Sequence, residues 1–202
     1  MLKINFGSGS IAPQGWISMD SSPSALLAKV PYSKTIKNIL GNIGVVDKQI
    51  LKTEWPKNIT YWDLRWGIPF RKGTVDIIFA SHFIEHLPKN AADKFLKNCY
   101  EILKTGGILR LVIPDIDILV KTYLKQVSEN PIAASEELNA RFFEGSQHKW
   151  MYNLQSLKEI LKNVGFKNIK KFDYRKSKIK DIHKLETPEL KYYTSLYLEA
   201  EK

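Results

Sequence analysis

Short runs of aliphatic and β-branched residues alternate along the chain with longer stretches whose apolar positions recur at helical spacing. That alternation predicts βαβ units around a mostly parallel sheet. Residues 2–6 form the first expected strand, ending at the turn Gly7-Ser8-Gly9. Residues 16–20 and 58–62 are the second and third, closed by the acids Asp20 and Asp63. The fourth, 75–80, is continuously apolar apart from Asp76, as a strand buried on both faces would be. Residues 88–103 predict a helix with Phe95, Cys99, Ile102 and Leu103 on one face, stopped by Lys104 and the pair Gly106-Gly107. A fifth strand follows over 108–113, halted at Pro114. An amphipathic helix over 154–164 ends at Gly165 and leads into an extended run at 168–174. The apolar stretch 195–200 is the last strand.

Two stretches, 21–57 and 116–150, carry helical content with no strand between their flanking elements. They read as insertions over the strand ends of one domain, placed as lids would be, because open α/β sheets bind ligands at the carboxyl ends of their strands. Composition adds exclusions. The single cysteine, Cys99, permits neither an internal disulfide nor a thiolate metal cluster. No apolar run approaches the roughly 20 residues that span a bilayer, and the first residues lack the features of a signal peptide, so a cytoplasmic location is expected. The net charge is +10, and much of the excess falls late: Lys167, Lys170, Lys171, Arg175, Lys176, Lys178, Lys180 and Lys184 face only Asp173 and Asp181. Such a patch is a solvated surface or a site for nucleic acid, anionic lipid or acidic glycan. Lysine, which dominates it, is the weaker choice for fixed phosphate recognition.

The chemistry concentrates at the strand ends. In Gly7-Ser8-Gly9 the missing side chains let the backbone approach a bulky ligand. An acid at the tip of the next strand, Asp20, is placed to accept from ribose hydroxyls. Gly7, Gly9 and Ala12 formally match G-x-G-x-x-A, but that fingerprint needs a helix whose N-terminus meets the pyrophosphate. Pro13-Gln14-Gly15-Trp16 breaks such a helix, and Asp20 arrives too soon. A nucleoside without phosphates fits better.

The chain resembles the class I S-adenosylmethionine-dependent methyltransferases, in the group of type 11 methyltransferase-domain proteins, over nearly its whole length. The resemblance rests on Ile4-Asn5-Phe6-Gly7-Ser8-Gly9, Gly15-Trp16-Ile17-Ser18-Met19-Asp20, Asp63-Leu64, Gly67-Ile68-Pro69-Phe70, the run from Val75 to His82, and Glu85-His86-Leu87. It continues in Leu103-Lys104-Thr105-Gly106-Gly107, His148-Lys149-Trp150-Met151-Tyr152 and the final Ser195–Ala200 run. It implies a Rossmann-like, seven-stranded sheet in the order 3-2-1-4-5-7-6, the last strand antiparallel and seated between the fifth and sixth. It also implies S-adenosylmethionine as cofactor. Gly7, Ser8 and Gly9 would line its methionine part, Asp20 would hold the ribose diol, Asp63 the adenine amino group with Leu64 against the ring, and Ser81 and His82 would sit beside the sulfonium. One departure stands out: Ser10 to Gly15 leaves room for about one turn where most members have a full helix, so the cofactor's carboxylate end is expected to be more open.

A sulfonium methyl is already activated, so alignment is the main demand on the protein. A hydroxyl acceptor usually needs a base as well, and histidine is the commonest. His148 and His86 are the candidate catalytic residues, and His82 is expected to shape the cofactor pocket. Glu85 with His86 offers ligands to a divalent cation, but the sequence shows no further cluster and no metal is expected. An Asn/Asp-Pro-Pro-aromatic motif for base amines is absent, and Cys99 lies on the apolar face of its helix, against a cysteine-adduct mechanism. Trp150, Tyr152, Tyr192 and Tyr193 suit a sugar or flat ring. The resemblance to proteins of surface-polysaccharide pathways favours O-methylation of a glycan or small hydroxylated metabolite. RNA methylation through the lysine patch, and a non-catalytic cofactor-binding scaffold, are the alternatives.

Overall fold

In the computed structural model, which describes residues 1–30, 35, 54–143, 148–188 and 194–202, seven strands form one sheet in the order β3-β2-β1-β4-β5-β7-β6. The strands are β1 (Lys3–Phe6), β2 (Ile17–Asp20), β3 (Thr60–Tyr61), β4 (Val75–Ser81), β5 (Leu103–Pro114), β6 (Lys167–Phe172) and β7 (Ser195–Glu201). The first five run parallel. β7 is antiparallel to both β5 and β6, filling the place between them that the resemblance implies. Strand order reverses between β1 and β4, which puts the carboxyl ends of β1, β2 and β4 around the crevice where such sheets take ligands.

Pleat alternation splits the sheet's side chains between two cores. On one face Ile4, Phe6, Ile78, Ala80, Leu109, Leu111, Leu196 and Leu198 pack with Phe95, Leu96 and Cys99 of α2 (Lys89–Ile102) and with Leu157 and Leu161 of α5 (Leu154–Val164). The Phe6 ring meets the Phe95 ring edge-on at 5.5 Å. A capping box of Asn153 and Ser156 opens α5, and Gly165 ends it at φ +117°, as the sequence pattern requires. On the other face Ile77, Phe79, Val112 and Tyr197 are covered by Ile179, Ile182 and Leu185. That cover is a non-regular segment with one short 3-10 turn, Ile182–Lys184. No helix lies between β1 and β2; the short crossover contains only turns, as expected from Pro13 and Gly15.

Three boundaries differ from the sequence pattern. The third strand contracts to two residues at the sheet edge, where only one neighbour holds it. β5 begins at Leu103 rather than 108, because Gly106 takes φ +76° and the register between β4 and β5 shifts after Val75. The glycine pair thus bends the strand instead of separating helix from strand. The extended run expected at 168–174 is paired over Lys167–Phe172.

Within the first expected insertion, α1 (Pro23–Leu27) is capped by Ser22, and residues 31–34 and 36–53 lie outside the described residues. Within the second, α3 (Ile116–Gln126) and α4 (Pro131–Phe142) follow the carboxyl end of β5 and pack on one another, with 144–147 outside the described residues. Tyr192 and Tyr193 are outside them too. No described helix is long and apolar enough to cross a membrane.

Candidate functional site

The carboxyl ends of β1, β2 and β4 open onto a cleft of about 950 Å³. Gly7, Gly9, Asp20, Asp63, Leu64, His82 and His86 all line it, so most of the residues singled out in the sequence converge on one space. Ser8 and Ser81 line a smaller adjoining cavity of about 270 Å³, whose wall also includes Gly7, Gly9 and His82. Sequence reasoning missed much of the cleft's apolar wall: Trp62, Ile68, Phe83 and Phe95.

Gly7 and Gly9 have φ +61° and +53°, the left-handed region that favours glycine. Their surroundings differ. A Cβ on Gly7 would stand 2.5 Å from the Phe83 ring, whereas one on Gly9 would meet nothing within 4 Å. Gly7 is therefore required by packing, and Gly9 leaves open space against the backbone that a ligand can enter. Gly7→Ala should cost about 2 kcal/mol, from left-handed backbone strain plus displacement of Phe83, and lower Tm by roughly 4–8 °C. Thermal unfolding checks this, and a Tm within a degree of wild type would show that Phe83 yields freely.

Asp20 reaches back into the glycine turn. Its Oδ2 accepts from the Gly9 amide at 2.9 Å and its Oδ1 from the Ser22 amide at 2.7 Å. Each oxygen keeps a further lone pair for a ligand. Burial raises the Asp20 pKa above the ordinary carboxylate value, against the opposing pull of the Ser22 and Gly9 amides. Asp63 is held differently. It caps the 3-10 turn Leu64–Trp66, and its Oδ1 accepts from the Arg65 amide at 2.9 Å. Its Oδ2 accepts from Arg65 Nε at 2.7 Å and from Nη2. The Arg65 hydrogen bonds keep Asp63 below the usual carboxylate range. The i,i+2 pairing with Arg65 is not signalled by the sequence pattern.

Beyond β4 the chain turns sharply at His82, φ +48°, into a 3-10 turn over Ile84–His86. His82 Nε2 lies 3.1 Å from Ser195 Oγ on β7, and its Nδ1 lies 3.2 Å from Glu85 Oε1. Glu85 is fully buried. The amides of Lys149 and Trp150 donate to the Glu85 main-chain carbonyl, at 2.7 and 3.2 Å, and so bring His148 beside His86. The two rings lie 5.0 Å apart between centroids. Burial lowers the His148 pKa, the Glu85 charge opposing it. His148 is thus next to His86, which lines the cleft, while Tyr152 is buried in the core beneath α2 and α5 and presents no ring to a ligand. Trp150 is 43% exposed, with Lys89 Nζ 5.9 Å from its ring centroid.

The family model described as a methyltransferase domain matches residues 15–171. No curated protein sequence gives a significant match. Several solved structures share the fold. An S-adenosylmethionine-dependent methyltransferase from Thermotoga maritima, described as a possible histamine N-methyltransferase, superposes with a TM-score of 0.51 at 14% identity, covering 100% of this chain and 82% of that one. One from Archaeoglobus fulgidus gives 0.51 at 16% identity, over 99% of this chain and 85% of that one. The protein PigF, solved with S-adenosylhomocysteine, gives 0.51 at 13% identity over 100% of this chain and 50% of its own. At these identities the likeness is one of fold.

Proposed function

The chain belongs to the methyltransferase-domain family, and from that premise we propose that it methylates a hydroxyl group of a glycan or small hydroxylated metabolite, with S-adenosylmethionine as donor. The observation that carries the donor is the Gly7–Gly9 turn with Asp20 folded against it. The turn leaves an open cradle at Gly9, and the carboxylate beside it retains acceptor capacity. A phosphate-bearing dinucleotide has no helix N-terminus to meet here, since the first crossover contains only turns.

Gly7, Ser8 and Gly9 would line the methionine portion, Asp20 would accept from the ribose diol, and Asp63 and Leu64 would hold the adenine edge and face. Ser81 and His82 would stand near the sulfonium. When bound, the cofactor supplies a methyl group already activated for displacement. The chain's own residues then orient the acceptor and exclude water. Trp62, Phe83 and Phe95 give the cleft an apolar wall, and His86, with His148 beside it, sets imidazole groups at the edge of the cleft. α1, with Ser21, Ser22 and Pro23 on the cleft wall, and the α3–α4 pair are the elements we assign as caps of a single domain.

The RNA reading has less support. Lys167, Lys170 and Lys171 are exposed on β6, four strand positions from β1, about 19 Å at the usual spacing. Lys178 is paired with Glu201. A non-catalytic cofactor-binding scaffold would use the same cradle and differs only in transferring no methyl group.

Calorimetric titration with S-adenosylmethionine and S-adenosylhomocysteine, with NAD as control, tests the donor. Micromolar binding of the first two alone is the expected result. Absence of both, in a folded protein, would overturn the donor assignment.

A further inference from the structure

Glu85 presents an energetic problem that the methyl-transfer site does not solve. It is fully buried, yet among the described residues neither carboxylate oxygen accepts a well-formed hydrogen bond; His82 Nδ1 stands 3.2 Å from Oε1. A buried carboxylate is retained at a tolerable cost only when it is paired or coordinates a metal. A second such atom lies beside it: His148 Nδ1 is buried and has no close hydrogen-bond partner among the described residues, while the ring is also engaged by the Arg141 main chain. His86 completes the group, and one ligand atom from each of Glu85, His86 and His148 lies within 4.8 Å of the others.

From this arrangement we infer that Glu85, His86 and His148 form a binding site for one divalent first-row transition ion, of the Zn²⁺ or Co²⁺ type, at the edge of the cleft. Ligands about 2.0–2.2 Å from a common zinc ion stand roughly 3–4 Å from one another, so rotation of the side chains by about an ångström closes the set. Two imidazoles and one carboxylate select transition ions over Mg²⁺, which prefers an all-oxygen shell. Three protein ligands also leave coordination positions free, the mark of a reactive rather than a purely structural site.

The surrounding groups fit a second shell. His82 stands between Ser195 Oγ and Glu85 Oε1, at 3.1 and 3.2 Å, where it is placed to orient the carboxylate. The two amide bonds from Lys149 and Trp150 to the Glu85 carbonyl lock the His148 segment onto the turn that carries the other two ligands. The glutamate and His86 come from one short turn, whereas His148 is distant in sequence, which is why the sequence alone showed no cluster. Because His86 lines the cleft, the free positions face the space where an acceptor hydroxyl would lie. That last step rests on the proposed O-methylation; binding of the ion does not.

The test uses tag-free, full-length protein stripped with a chelator and titrated with Co²⁺, Zn²⁺ and, as control, Mg²⁺. Calorimetry gives affinity, and the visible absorption of bound Co²⁺ reports its ligand field. One equivalent of Co²⁺ or Zn²⁺ should bind, and Glu85→Gln and His148→Ala should each weaken binding by roughly 100-fold or more, while His82→Ala should weaken it by about tenfold. The Co²⁺ spectrum should change in the His148→Ala protein. Far-UV circular dichroism verifies that each variant is folded. Binding unaffected by the Glu85 and His148 substitutions, no saturable binding of either ion, or preference for Mg²⁺ would each overturn the assignment. S-adenosylmethionine titrated into the same samples separates the two readings: failure there with metal binding intact rejects the donor and leaves the ion site standing.

Discussion

Replacing Asp20 with alanine should weaken S-adenosylmethionine binding by roughly 100-fold while leaving Tm within a few degrees of wild type. The first half follows from the acceptor the ribose diol loses. Hydrogen bonds to a charged group contribute about 1.5–3 kcal/mol each, so losing two removes about 3 kcal/mol or more, a factor of at least 100. The second half follows from the direction of the Asp20 pKa. Burial raises it in the folded protein. A carboxyl raised in this way stabilises the fold below its unfolded pKa, and that contribution is lost as pH rises through the folded value. At neutral pH the ionised group therefore adds nothing that alanine would forfeit, apart from its bonds to Gly9 and Ser22 at the edge of the cleft. The same direction predicts a pH effect: affinity for cofactor should fall on acidification through the raised pKa, at a higher pH than for an unperturbed aspartate. Calorimetry and thermal melts on one preparation decide it. A variant that binds normally would make Asp20 a brace for the glycine turn and nothing more.

The positions of Asp20 and the glycine turn were legible because both depend on local patterning: an apolar run, then a residue type that ends it at the sheet's edge. The sheet order was carried by the resemblance, and the seven strands occur in it. What escaped reading depended on partners far along the chain or on geometry within a few residues. Gly106 looked like a helix stop, but lies inside β5 because the strand pairing shifts around it. Asp63 was legible as an acid at a strand end, but not its engagement by Arg65, which turns on side-chain conformation. His148 and Glu85 meet only because two backbone amides cross to the 3-10 turn after β4. Nor did the apolar pattern reveal what covers the second face of the sheet. With the first crossover too short for a helix, that cover comes from a lysine-rich segment whose few apolar residues, Ile179, Ile182 and Leu185, point inward.

The attachment of that segment leads to the largest stability effect expected in the molecule. Arg110 sits in the middle of β5 and is fully buried. Its Nε and Nη2 donate to Glu186 Oε1 at 2.9 and 2.6 Å, and its Nη1 lies 3.5 Å from Glu199 Oε1 on β7. It also reaches the carbonyls of Lys176 and Asp173, and the Arg175 amide donates to the other Glu186 oxygen. One guanidinium thus ties the 173–186 cover to the sheet. Arg110→Met keeps much of the volume but leaves two buried carboxylates without their cation, which should cost about 3–5 kcal/mol. For a chain of this size Tm should fall by roughly 10 °C. Glu186 already has a raised pKa from burial, with Arg110 the main opposing influence. Without the arginine that rise grows. The added penalty is then present at neutral pH and shrinks as falling pH protonates Glu186, so the gap between variant and wild type should narrow on acidification from pH 7 to 5. Replacing Glu186 and Glu199 by glutamine in the Arg110→Met background should recover part of the loss, because no uncompensated charge remains. Thermal melts of the three proteins across that pH range provide the measurement. A fall below 2 °C for Arg110→Met would mean that the apolar contacts of Ile179, Ile182 and Leu185, not the ion cluster, hold the cover in place.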